Sequence, residues 1–199
     1  MENVEIAISY PIFYPVKKFY WTPDAINFTL MGAICLVIVL PIGEQLNLVL
    51  RLSLAFIFFI HFIYRLFTRY STHKMLKGYI QGEIQLKPEK IIFDSKTIPI
   101  TDIKTLKFYF YDWDGQETGI SFRSLNGLLS NGIDNSITIY FVNGGERKVF
   151  FQRKKSDDIV LIKPLLIEYC KSGLIGFHDL ITMLNLSYRE VQELKAEYF

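Results

Sequence analysis

The stretches INFTLMGAICLVIVLPI (Ile26–Ile42) and LNLVLRLSLAFIFFIHFIYRLF (Leu46–Phe67) decide how the rest of the chain is read. The first carries no charge, and only Asn27 and Thr29 interrupt its apolar run. Thr22 suits an N-cap, Pro23 the first helical position and Asp24 the positive end of the helix dipole. Pro41 and Gly43 end it. The spacing predicts a helix of about 18–20 residues, roughly 30 Å long, about the thickness of a bilayer's hydrocarbon. The second stretch is apolar on all sides, which a helix on the surface of a soluble domain would not be. Arg51 and Arg65 lie near its ends, where long basic side chains reach back to headgroups. His61 lies a turn from the far boundary, at the interface or against the other helix. The charge-free interval between the two arginines is 13 residues. That is short for a span, so a re-entrant or interfacial hairpin is the other reading.

Working outward, the flanks assign an orientation. The linker Gly43-Glu44-Gln45 has no positive charge, whereas Lys17 and Lys18 precede the pair and Arg65, Arg69, Lys74 and Lys77 follow it. The positive-inside rule predicts a two-pass protein of the cytoplasmic membrane with both termini cytoplasmic. Phe13, Tyr14, Phe19, Tyr20 and Trp21 on one side, and Tyr64 and Tyr70 on the other, fall where an interfacial aromatic belt belongs. Gly32, Ala33 and Ser53 are small enough to let helices approach closely, the alternative to a simple anchor. A signal peptide is not expected, because the first apolar run starts late and leads into another hydrophobic segment rather than a small-residue cleavage site.

The 199-residue chain is 50% hydrophobic, 16% aromatic and 21% charged, and the apolar excess is concentrated in residues 26–67. That distribution excludes a disordered or collagen-like chain. Cys35 and Cys170, far apart, make no disulfide framework. A net charge of +2 is too small to point to nucleic acid.

Beyond Gly78 the pattern alternates. Strands are expected at 83–87, 90–93, 97–100, 103–111, 119–122, 137–142 and 148–151, with Asn143-Gly144-Gly145 a hairpin turn and 126–135 a loop. On 103–111, Leu106, Phe108 and Phe110 share one face, and Lys107, Tyr109 and Tyr111 the other. Val4 to Tyr10 also alternates; this lone strand is expected to add to the edge of the downstream sheet or to another chain. A helix follows at 156–172, capped by Ser156, with Pro164 as an expected kink and Gly173 as its end. The tail, 173–199, predicts two further helices, the second opened by the capping box Ser187–Glu190.

The stretch GEIQLKPEKIIFDSKTIPITDIKTL, Gly82 to Leu106, resembles the opening of bacterial pleckstrin-homology-like (PH-like) domains, with its short Ile98-Pro99-Ile100 strand followed by Thr101-Asp102-Ile103. Small membrane proteins with two N-terminal spans ahead of such a domain are similar in layout. The resemblance implies a membrane-anchored α+β protein. Residues 1–21 form an N-terminal segment and 22–72 a two-helix transmembrane hairpin. A PH-like seven-strand antiparallel barrel follows at 78–172, capped by a helix, and a helical tail at 173–199. It implies membrane-surface or protein docking and no reaction.

No metal-ligand spacing, nucleotide loop or nucleophile motif is present, so no catalytic residue, metal or cofactor is expected. Asp112, Asp114 and Glu117 could hold a cation but read first as a turn around Gly115. The basic run Arg147, Lys148, Arg153, Lys154 and Lys155, joined by Arg69, Lys74 and Lys77, is the expected binding surface for anionic lipid headgroups. Its other reading is a solvated loop. A phosphoinositide pocket on the first hairpin is not supported, because Glu83 and Glu89 interleave with Lys87 and Lys90. Trp113, Phe177, Tyr188, Val191 and Leu194 are candidate protein contacts. The expectation is a non-enzymatic docking or scaffold protein, an accessory subunit of a membrane complex or a homo-oligomer. The alternative is an anionic-lipid-responsive sensor. Neither nucleic acid nor a small-molecule substrate is expected.

Overall fold

The computed structural model describes residues 7–39, 48–119 and 126–198. Two compact units divide the chain: Met1–Val16 with Gly78–Asp114 and Gly132–Phe199, and Lys17–Lys77 with Gly115–Asn131.

The first unit is built on a seven-stranded antiparallel sheet. Its strands are β1 (Ile8–Pro15), β2 (Gly78–Leu86), β3 (Lys90–Phe93), β4 (Lys96–Pro99), β5 (Ile103–Tyr109), β8 (Asn135–Phe141) and β9 (Glu146–Phe151), in the order β4-β3-β2-β1-β9-β8-β5. The chain also forms β6 (Asp114–Glu117) and β7 (Leu129–Asn131), a separate two-stranded pair. The seven-stranded sheet is not closed. Its edges β4 and β5 are consecutive in the chain, joined by the turn Ile100–Asp102, yet do not pair with each other.

The first strand corrects the sequence reading. It begins at Ile8 and runs through Pro11 to Pro15, and it lies in the middle of the sheet rather than at an edge. Residues 4–6 of the expected strand lie outside the described residues. Ile8 pairs with Leu86 and Pro15 with Gly78 on one side; Ile12 pairs with Phe151 and Phe13 with Phe150 on the other. Proline cannot donate to a ladder, so a central strand normally excludes it. Here Pro11 adjoins a register shift where Gly82, at φ +69°, supplies the positive φ of a bulge. The Pro11 carbonyl still serves the sheet, accepting from the Gln152 amide at 2.8 Å.

One face of this sheet forms the core. Tyr10, Ile12, Ile84, Leu86, Ile91, Phe93, Leu106, Ile137, Ile139, Val149 and Phe151 are buried there. Helix α3 (Asp158–Lys171) adds Ile162, Leu165, Leu166 and Tyr169 to the same cluster. Its Tyr169 hydroxyl donates to the Lys87 carbonyl at 2.7 Å. Ser156 is not its cap: the helix begins two residues later, and the Asp158 carboxylate accepts the Lys155 amide at 3.3 Å. The helix continues through Pro164 and stops before Gly173, φ +76°.

The tail folds onto the same core. Helices α4 (Phe177–Leu184) and α5 (Tyr188–Tyr198) contribute Leu180 and Leu194, and the connecting Leu174 and Ile175 are buried with them. The Leu174 carbonyl accepts the Leu106 amide at 2.8 Å, so the tail occupies part of the outer edge of β5. The capping box forms as the sequence predicts, with the Glu190 carboxylate accepting from the Ser187 amide at 2.7 Å.

The second unit holds α1 (Pro23–Val39) and α2 (Leu48–Thr68). Thr22 caps α1, its hydroxyl accepting the Ala25 amide at 3.2 Å. The expected end at Pro41 and Gly43 and the linker Gly43-Glu44-Gln45 lie outside the described residues. Polar side chains bond to their own helix. Asn27 donates to the Pro23 carbonyl at 2.7 Å, Thr29 to that of Ala25 and Ser53 to that of Val49, each at 2.8 Å. None of α2's described residues is buried. Among the described residues one helix, Leu48–Ser71, is long and apolar enough to cross a membrane, with a mean hydropathy of 1.8. The 17 residues of α1 reach about 25 Å. The expected pair of spans is therefore one helix of spanning length and one shorter apolar helix.

The exit of α2 is clamped within this unit. A tight turn, Arg69–Ser71, follows the helix, and the Leu128 amide donates to the Arg69 carbonyl at 2.9 Å. The Lys74 amide donates to Leu129, and the Asn131 side chain to the Lys74 carbonyl. A Cβ at Gly127 would collide with the carbonyls of Thr72 and His73, so only glycine fits. The 126–135 segment, expected as a loop, thus contains β7. The expected strand 119–122 falls almost entirely outside the described residues.

Candidate docking surface

The basic run at 147–155 does not form one patch, because a strand sends alternate residues to opposite faces. Arg147 lies on the core-facing side at the exposed end of β9, its guanidinium 4.5 Å from the Phe93 ring. Lys148 lies on the opposite face beside Phe150, its ammonium 4.9 Å from that ring. Lys154 and Lys155 line a groove of about 550 Å³ with Ser9, Tyr10, Glu83 and Asp158. The groove's walls also carry Asp157, so its three carboxylates outnumber the two lysines and it is not a built anion site.

Arg153 is a correction: it is 3% exposed. Its guanidinium donates to the carbonyls of Lys155, at 3.4 Å, and Ser156, at 3.0 Å, and lies 5.5 Å from the Phe110 ring. It braces the β9–α3 connection and is not open to a headgroup. Burial lowers its pKa, against the opposing charges of Asp158 and Asp112. Beside it Tyr10 is buried, and its hydroxyl finds no partner among the described residues. Burial first, and Asp158 second, hold the Tyr10 phenol above the usual tyrosine range, with Arg153 pulling the other way. Arg69 is likewise buried, at 2% exposure, with a nitrogen 3.2 Å from the Tyr70 hydroxyl. Lys74 and Lys77 are exposed.

Of the acidic cluster, Asp112 is a structural clasp, while Asp114 and Glu117 lie in β6, a strand where the sequence reading has a turn around Gly115. Asp112 is buried, its carboxylate accepts the Asp134 amide at 3.0 Å, and its own amide donates to the Asn135 side chain at 3.1 Å. Asn135 returns two bonds, to the carbonyls of Asp112 and Gly132. Trp113, a candidate contact, is half-buried, and Asp114 after it opens β6. Among the described residues no three His, Cys, Asp or Glu side chains gather into a metal-binding group.

The tail candidates separate. Tyr188 is 81% exposed, Val191 and Phe177 are half-buried, and Leu194 is buried in the core and so corrected as a contact residue. Lys195 covers the Phe177 ring at 5.4 Å.

The sheet's outer face carries the polar side of the alternation in residues 103–111. Lys107 pairs with Thr138, which pairs with Lys148, in one row across β5, β8 and β9. Tyr140 lies in the next row, opposite Thr105 and Glu146. Tyr109 lies in the row beyond, opposite Ser136 and Phe150. Lys107 stands 5.5 Å from the Tyr140 ring, and Tyr109 meets Tyr111 edge to face at 4.5 Å.

Neither protein-family models, nor curated proteins, nor solved structures give a match to this chain.

Proposed function

We propose that this chain is a non-enzymatic, membrane-anchored docking protein whose sheet unit has a PH-like arrangement. The observation that carries the anchoring is the way the apolar helices are inserted. Residues 16–77 form the connection between two neighbouring antiparallel strands, with Pro15 paired to Gly78. Neighbouring strands run about 4.8 Å apart, so the insert leaves the sheet and returns at almost the same point. Any membrane path between those residues must begin and end on one side of the bilayer. A two-pass hairpin satisfies that, as does a re-entrant one; a single crossing does not. The helices suit such a path. Leu52, Phe56, Ile57, Phe59 and Ile60 of α2 are all more than half exposed, an apolar surface that water would penalise by about 25 cal/mol per Å².

The docking reading rests on what the sheet unit presents. Its core is filled by its own helices, while tyrosines and lysines stand on its outer surface. Proteins on which such a unit would act, in a complex or as further copies, are the partners this reading calls for.

The test has two parts. Vesicles carrying the chain are washed with alkaline carbonate; retention is expected, and release into the supernatant overturns the anchoring. Lys18→Cys and Lys77→Cys, in a chain with Cys35 and Cys170 replaced by alanine, are then labelled with an impermeant maleimide in sealed vesicles of each orientation. Both should label from the same side. Labelling from opposite sides overturns the insert topology.

A further inference from the structure

We propose that the outer face of β5, β8 and β9 is a docking surface for an anionic lipid bilayer, an inference that rests on the anchoring reading above. The ladder registers put Lys107, Tyr109, Tyr140, Lys148 and Phe150 on one face, with Tyr111 extending it past the end of β5. Tyr109 and Tyr111 are each about half exposed, at 53% and 51%. Glu146 is the one acid in these rows, against Lys107 and Lys148.

The chemistry on this face is that of the headgroup region. Tyrosine places an apolar ring beside a polar hydroxyl and is favoured at the membrane–water boundary for that reason. Each lysine ammonium rests near a ring, Lys107 by Tyr140 and Lys148 by Phe150, so cation and aromatic are displayed together. Lysines at an anionic leaflet each favour docking about fivefold. Tethering by the apolar helices raises the unit's effective concentration at that leaflet, so few charges suffice. Aromatic and basic side chains on a sheet also suit single-stranded RNA. The exposed apolar helices of the same chain favour the bilayer. This face replaces the 147–155 run as the lipid surface, because Arg153 is buried and Lys154 and Lys155 share their groove with three carboxylates.

The experiment uses the full chain, with Cys35 and Cys170 replaced by alanine, in lipid nanodiscs. A bimane fluorophore is attached at Thr138→Cys, between the two lysines, or at Glu168→Cys, exposed on α3 as the control. Quenching by nitroxide-headgroup lipid is compared in discs of phosphatidylcholine with and without phosphatidylglycerol. Strong quenching at position 138 alone, only in anionic discs and weakened by salt, is the expected result. Lys107→Gln with Lys148→Gln should reduce the docked-to-undocked ratio about 30-fold. Equal quenching at both positions, or none at 138 in a chain that resists carbonate, overturns the docking and leaves the anchoring standing. Carbonate release overturns both. Protection of the 138 label by a single-stranded RNA oligonucleotide, but not by anionic lipid, overturns the lipid surface in favour of nucleic acid.

Discussion

The sheet unit and the helical unit use similar side chains in opposite ways. In β8 and β9, Ile137, Ile139 and Phe151 are almost fully buried, whereas in α2 Ile57, Phe59 and Ile60 stand more than half exposed. One unit supplies its own apolar medium, because alternation gives each strand one face to bury and α3, α4 and α5 to bury it against. The other is apolar on every side of a helix, and two helices cannot cover each other all round. Hydrophobicity alone therefore does not distinguish a buried face from an exposed one; the period does. Strand periodicity concentrates apolar residues on a surface that the same unit can cover. A run without periodicity leaves apolar side chains on faces that its own unit does not cover.

The comparison can be broken at four points, taken from the largest expected effect to the smallest. Deleting residues 1–15 removes the strand that joins β2 to β9, and with it the burial of Tyr10, Ile12 and Phe13. Each such side chain contributes about 1.5–3 kcal/mol, a sum comparable with the whole stability of a typical domain. The sheet unit of the full chain in detergent should lose its resistance to limited proteolysis; an unchanged digestion pattern would show that β1 is dispensable.

Next, Ile139→Ala should destabilise the sheet unit by about 2–5 kcal/mol, since it leaves a cavity in a packed core. Ile60→Ala, at a position 52% exposed, should shift the same unfolding transition by no more than about 0.5 kcal/mol. Equal losses from the two changes, read by denaturant titration, would erase the distinction between the units.

A smaller effect is expected from Tyr169→Phe, which removes the hydrogen bond to the Lys87 carbonyl and should cost about 1 kcal/mol. Tyr10→Phe, by contrast, removes a buried hydroxyl that has no partner among the described residues, and should be neutral or slightly stabilising in the same titration.

The smallest effect concerns pH. Burial raises the phenol pKa of Tyr10 and Tyr169 in the folded chain. The neutral form is thus favoured by folding. Its stabilising contribution is complete below the unfolded pKa, near 10, and declines as pH rises above that value. Stability should fall through the alkaline range, and the double phenylalanine variant should show a shallower fall. An identical alkaline slope in the variant would assign the loss to other groups.

Much of the local structure was legible because its signals span only a few residues. Thr22 before Pro23, Gly173 after α3, the Ser187–Glu190 box and the Asn143-Gly144-Gly145 turn each act over one turn of chain, and each is found where its chemistry puts it. The alternation of Leu106, Phe108 and Phe110 against Lys107, Tyr109 and Tyr111 likewise gave the two faces of β5. The site was less legible. Nothing near Arg153 announces that its guanidinium folds back onto the carbonyls of Lys155 and Ser156, or that Arg69 is buried. Leu194 looked like a surface contact on an amphipathic helix until the tail was seen to pack on the sheet unit's core.

By itself, the sequence determined several element ends, such as the Thr22 cap and the Ser187–Glu190 box, and which side chains of a strand share a face. It also placed the chain's apolar excess in residues 26–67. Those are properties of neighbouring residues, set by dihedral preferences, capping and periodicity. Only the tertiary structure decided that β1 enters between β2 and β9, tolerating Pro11 beside the Gly82 bulge, and so makes the helices an insert within one sheet. The reason is that a strand's own residues specify which face is apolar but not which strand lies beside it. That choice belongs to hydrogen-bond ladders between residues far apart in the chain, and it is settled only when the whole core closes around them.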